Sequence, residues 1–143
     1  MAEEIYVPPG GPPRTRVPSA KVYEAMGQEK IRTMIRDFYA RLAESPIRDM
    51  FSKNLEQSAE RSALFFIGFL GGPPLYQQTI GPPMLRQRHI PFRIDEHARE
   101  IWLSCFDAVL DDATAKYDFP ADEVPVFREF LHQFSSWMVN RSS

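Results

Sequence analysis

The stretch "GPPMLRQRHIPF", residues 81–92, decides how this chain is read. It holds one of only three histidines between two proline breaks, directly behind two arginines. Pro82 and Pro83 allow a helix to begin near Met84, and Pro91 disfavours helical geometry at Ile90. Only Met84 to His89 is left to be helical. So short a helix is marginal alone and needs something outside it to hold it.

Around this stretch the periodicity is helical. Ile31, Ile35, Phe38, Tyr39 and Leu42 recur at steps of three and four and make one apolar stripe. This helix is expected to end near Ser45, ahead of Pro46. A second helix is predicted from about Gln57 to Leu70, with Leu64, Phe65, Phe66 and Phe69 on an aromatic face, stopped by "GGPP" at 71–74. A third starts after Asp95, a good N-cap, and aligns Ala98, Ile101, Trp102, Cys105 and Val109. The last starts near Pro125 and carries Phe127, Phe130, Leu131, Phe134, Trp137 and Met138. No window alternates as a strand would, so the fold class is all-α with about four principal helices.

The 143 residues suit one domain able to bury a core, with 43% hydrophobic residues and eleven phenylalanines to fill it. Residues 1–20 hold five prolines with little apolar pattern and read as a flexible extension ahead of a domain at 21–143. A net charge of -2 argues against nucleic acid as a partner. No stretch approaches the roughly 18 apolar residues of a membrane span. The N-terminus lacks a basic region followed by an apolar run, which predicts no secretion signal. Cys105 is the only cysteine, which excludes an internal disulfide and fits a reducing, cytoplasmic setting.

His89 on a turn and a half of helix suits a metal bond that would fix the segment. Haem iron accepts an axial imidazole, and its propionates need cations such as Arg86 and Arg88. Met84, Leu85, Ile90, Phe92 and Ile94 offer apolar surface for the macrocycle. Read alone, "RQRH" reads as a solvated basic turn on the surface. His97 and His132 read as ordinary helix residues, Cys105 as a buried packing residue, and the Asn140-Arg141-Ser142 triplet as without meaning.

The run "FLGGPPLYQQTIGPPMLRQRHIPFRID", followed by "AREIWLSC" and preceded by "FYARLAES", resembles the truncated hemoglobins of the second group over residues 22–140. The resemblance implies a compact two-over-two helical globin sandwich around haem b (iron protoporphyrin IX). In it His89 is the proximal ligand, Trp102 projects into the distal pocket, and Tyr39 is the pocket tyrosine. Phe51 then packs on the haem, Ser58 and Ser62 face the ligand, and Phe65 and Phe66 form a bulky pair deeper in the helix. Two departures stand out. Pro82 replaces a frequent histidine, and Ser62 replaces a leucine or glutamine, opening room near the ligand.

The implied function is reversible binding of dioxygen, carbon monoxide or nitric oxide for storage, transport or sensing, by a monomer or homodimer. One alternative is a haem redox enzyme, a nitric oxide dioxygenase or peroxidase, supplied by a separate reductase. Another is a haem-free helical interaction domain whose aromatic stripes are only core.

Overall fold

The apolar stripes fold as helices in a computed structural model that describes residues 5–142; the first four residues of the expected extension, and Ser143, lie outside the described residues. Helix α1 spans Lys21–Ala43, α2 Leu55–Phe69, α5 Glu96–Asp111 and α7 Val124–Met138. Gly27 (φ 71°, ψ 174°) interrupts α1, so the stripe from Ile31 to Leu42 belongs to its second segment. The caps follow from side-chain chemistry. Asn54 accepts a hydrogen bond from the Gln57 N–H at 3.1 Å to start α2, and Asp95 accepts one from the Ala98 N–H at 2.9 Å to start α5.

Shorter pieces join these four. Helices α3 (Leu75–Thr79), α4 (Leu85–His89) and α6 (Ala113–Tyr117) have five residues each, and 3₁₀ turns cover Arg48–Met50 and Ala121–Glu123. Five residues are too few to show a hydrophobic period, which is why α3 and α6 escape a periodicity reading. The expectation that Pro91 drives Ile90 out of helical geometry is corrected. Ile90 keeps φ -57° and ψ -36° as it closes α4, and its N–H bonds Arg86 O at 3.1 Å.

Helix α1 packs on α2, α5 packs on α7, and α1 crosses to α5, so two helix pairs lie against each other. Phenylalanines join them. Phe38 and Phe106 lie with ring centroids 4.2 Å apart, while Phe66 and Phe127 meet Phe106 edge-on at 5.8 and 5.6 Å. All four are buried, and such ring pairs add roughly 0.5–1.5 kcal/mol each beyond the area they bury. There is no strand among the described residues, and no helix long and apolar enough to cross a membrane.

Residues 5–20 form neither helix nor strand and lie against the last helix. The N–H groups of Arg14 and Thr15 donate to Gln133 Oε1 at 2.7 and 3.1 Å, and Ser19 Oγ donates to Glu123 at 2.8 Å.

The "GGPP" stop also sets how α1 begins. Gly71 has φ +110°, and a Cβ there would stand 2.6 Å from Ala20 Cα. Close by, the Tyr23 N–H bonds Leu70 O at 3.1 Å. Gly71→Ala is therefore expected to lower the unfolding free energy by about 2 kcal/mol, through backbone strain and a forced separation of the two segments. Gly10→Ala, where a Cβ meets nothing within 4 Å, is expected to stay within about 0.5 kcal/mol; urea denaturation midpoints check both.

Candidate functional site

The backbone enters α4 through Met84, a non-glycine residue in the left-handed region (φ 39°, ψ 50°). Arg88 folds back onto the preceding prolines, its Nε donating to Pro83 O at 2.8 Å and its Nη2 to Pro82 O at 3.0 Å. On the resulting turn, His89 Nδ1 lies 2.6 Å from Leu85 O. A carbonyl can only accept, so Nδ1 carries the proton and Nε2 keeps its lone pair. Burial holds the His89 pKa below its ordinary value, more than the Leu85 bond raises it. The ring is therefore neutral near pH 7, the form that binds a metal.

His89 lines a cavity of about 320 Å³, within the roughly 300–1,000 Å³ of small-molecule sites. Its walls are mostly apolar: Ile47, Met50 and Phe51 from the turn after α1, Phe92 and Ile94 after α4, and Phe134 and Met138 from α7. Phe134 stands between two key rings, with its centroid 6.4 Å from His89 and 6.2 Å from Trp102. Trp102 is set edge-on against Phe38 at 5.4 Å, and Tyr39 is held between Phe38 at 5.4 Å and Phe51 at 6.1 Å. Among the described residues, the indole N–H of Trp102 has no acceptor. The Tyr39 hydroxyl is bonded to Ser62 Oγ at 2.6 Å.

His89, Tyr39, Phe51, Ser58, Phe92, Ile94 and Trp102 line one cavity. The other expected residues sit elsewhere. Ser62 is not in the lining and reaches the cavity only through Tyr39, so it does not open room there. Phe65 stacks with Phe69 and meets Tyr76 edge-on, and Phe66 joins the central core; both lie outside the cavity. Leu85 contributes its carbonyl to His89 and is not a wall.

The two arginines expected at the rim are engaged elsewhere. Arg86 donates to the carbonyls of Trp137, Val139 (3.0 Å) and Tyr6 (2.9 Å), and lies over the Trp137 ring. Arg88 holds the proline carbonyls. The arginines that do line the cavity are Arg61 and Arg99. Arg99 is bonded to Glu96, Ser135 Oγ and His132 O. Arg61 is exposed, with no ion pair among the described residues. It could have been found in the sequence, because it lies three residues after Ser58, on the same face of α2.

The donor set fits a haem. One neutral imidazole has a fixed tautomer, the walls facing it are apolar and aromatic, and Arg61 and Arg99 at the cavity match the two propionates.

Residues 21–140 match the family described as "Bacterial-like globin". The chain is 40% identical over 90 residues to a group 2 truncated hemoglobin of Bacillus subtilis, covering 62% of this chain and 68% of that one. Its fold is similar to phosphate-bound Hell's gate globin IV, with a TM-score of 0.83, 37% identity, and 92% and 81% of the two chains covered. It is also similar to the group II truncated hemoglobin of Bacillus anthracis, with a TM-score of 0.77, 31% identity, and 92% and 95% covered.

The Tyr39–Ser62 bond makes a separate prediction. Burial already raises the Tyr39 pKa, and the Ser62 bond counters it by favouring the phenolate. Ser62→Ala is expected to push the Tyr39 titration further up and to cost about 1 kcal/mol of stability. NMR titration of the labelled tyrosine Cζ resonances checks the sign.

Proposed function

The chain belongs to the bacterial-like globin family, among its group II truncated hemoglobins, and on that premise we propose that it holds haem b through His89 and reversibly binds dioxygen, carbon monoxide and nitric oxide. One observation carries the reading: the His89 ring and the Trp102 indole share a single apolar-walled cavity, with Phe134 spacing them. A bound haem would supply the iron that takes up a diatomic gas.

The chain's own residues do the rest. His89 Nε2 would hold the haem iron, and its Nδ1–Leu85 bond keeps the ring from turning and makes the nitrogen more basic. Arg61, exposed and without an ion pair among the described residues, would take one haem carboxylate, with Arg99 at the same cavity adding its charge. Trp102 would donate its free N–H to a polarised ligand, and against the apolar walls of the cavity that bond is stronger than in water. Tyr39 adds a second O–H, already oriented by Ser62, and Ser58 stands at the same wall as a smaller donor. Non-covalent haem is supported by the position of the only cysteine. Cys105 does not line this cavity and instead lines a different, open groove with Arg41 and His97.

Together these donors favour tight dioxygen retention, suited to storage or sensing. The test is the absorption spectrum of the purified protein, ferric and then reduced with and without carbon monoxide. A Soret band that shifts with carbon monoxide, is lost in His89→Ala and returns with added imidazole is expected. No Soret band after expression with ample haem would overturn the proposal. Trp102→Phe is expected to speed dioxygen dissociation roughly 10- to 150-fold, the loss of one hydrogen bond of about 1.5–3 kcal/mol. An unchanged rate would remove Trp102 from that role.

A further inference from the structure

Asn140 follows α7 and is fully buried, yet it belongs neither to the aromatic core nor to the cavity lining. Among the described residues, all of its side-chain bonds but one go to the segment that carries His89. Its Nδ2 donates to His89 O at 3.2 Å and Phe92 O at 2.9 Å, and its Oδ1 accepts from the Ile94 N–H at 3.0 Å. The exception is Arg141, which donates to Oδ1 at 3.2 Å. The amide can sit only one way round, because the Ile94 N–H must donate and the two carbonyls must accept. The main chain adds to the grip: the N–H groups of Asn140 and Arg141 both bond Ile94 O, at 2.9 and 3.1 Å.

The clamp is itself held in place. Arg86, on α4, bonds the end of α7 through the carbonyls of Trp137 and Val139. The N-terminal extension closes it, with the Tyr6 N–H donating to Asn140 O at 3.0 Å and Tyr6 O accepting from Arg86.

We infer that Asn140 is a positioning residue for His89, capping the carbonyl end of α4 and so setting the direction in which Nε2 meets iron. The role rests on the proposed haem ligation by His89. The His89 carbonyl accepts from the Phe92 N–H at 2.9 Å, and Asn140 Nδ2 is its second donor, tying it to Phe92 and Ile94, which wall the cavity. Asn140 thus joins Arg86 and the main-chain bonds to Ile94 in fixing the tilt of α4, and the His89 ring follows it through the Leu85 bond.

Asn140→Asp keeps the shape and the acceptor for Ile94 but cannot donate to the two carbonyls; Asn140→Ala removes all the side-chain bonds. Both are compared with the unaltered full-length protein as purified. Amide hydrogen exchange at Arg88, Ile90 and Phe92 is expected to quicken about tenfold or more, with Val109 and Leu110 of α5 unchanged. In the ferrous protein the iron–imidazole stretching band in the resonance Raman spectrum is expected to shift or split. Haem transfer to an acceptor apoglobin is expected to speed up roughly 10- to 100-fold.

An unmoved Raman band, unchanged exchange at the three amides, or equal acceleration in α5 would overturn the inference. Should Asn140→Ala fail to fold, Asn140→Asp decides alone. If the unaltered protein takes up no haem, the proposed function fails, while the exchange comparison still shows whether Asn140 holds the segment.

Discussion

A helix of five residues forms too few hydrogen bonds to offset the cost of nucleating it, and the cavity depends on how α4 is held. Its entry is a left-handed Met84, a conformation that costs energy and persists only where the surroundings enforce it. Here they do. Arg88 bonds back to Pro82 and Pro83, Arg86 reaches the chain after α7, and Asn140 caps the far end. The one imidazole facing the cavity is thus fixed by contacts from three separate parts of the chain. Its tautomer needs only the local Leu85 carbonyl.

The opposite wall is held differently. Trp102 and Tyr39 both rest on Phe38, which stacks on Phe106 at the centre of the core. Close-packed rings have little freedom to move, so the two donors point from a rigid base. Burial has a second effect. In a cavity walled mostly by apolar side chains, a free N–H or O–H gains more from a polar ligand than it would in water. Tyr39 has already spent part of that capacity on Ser62, whereas Trp102 has not, and this ranks Trp102 first among the donors.

The arginines show where nearness in sequence misleads. Arg88 adjoins His89, but successive helix residues are turned about 100° apart, so it points to the proline turn. Arg86, one turn earlier, faces the C-terminal end of α7 and the Trp137 ring. The cations that reach the cavity, Arg61 and Arg99, come from the other helices α2 and α5. Phe65 and Phe66 teach the same lesson, because an aromatic face on α2 serves the core as readily as a cavity, and here it serves the core.

What the chain declares on its own is whatever repeats along it or breaks it. The four long helices show in stripes such as Ile31–Ile35–Phe38–Leu42, their ends in Asp95, Pro46 and Gly71-Gly72, and the isolation of His89 in its flanking prolines. The meeting of His89, Trp102, Tyr39 and Phe51 was legible only because the spaced pattern as a whole resembles a known family. Tertiary structure alone decided the rest: which arginines face the cavity, that Ser62 serves Tyr39, and that Asn140, in a triplet with no evident meaning, holds the histidine's helix. The physical reason is range. Periodicity and backbone breaks act over a few residues, whereas a hydrogen bond between residues 89 and 140 exists only after two helix pairs have packed and brought those segments together.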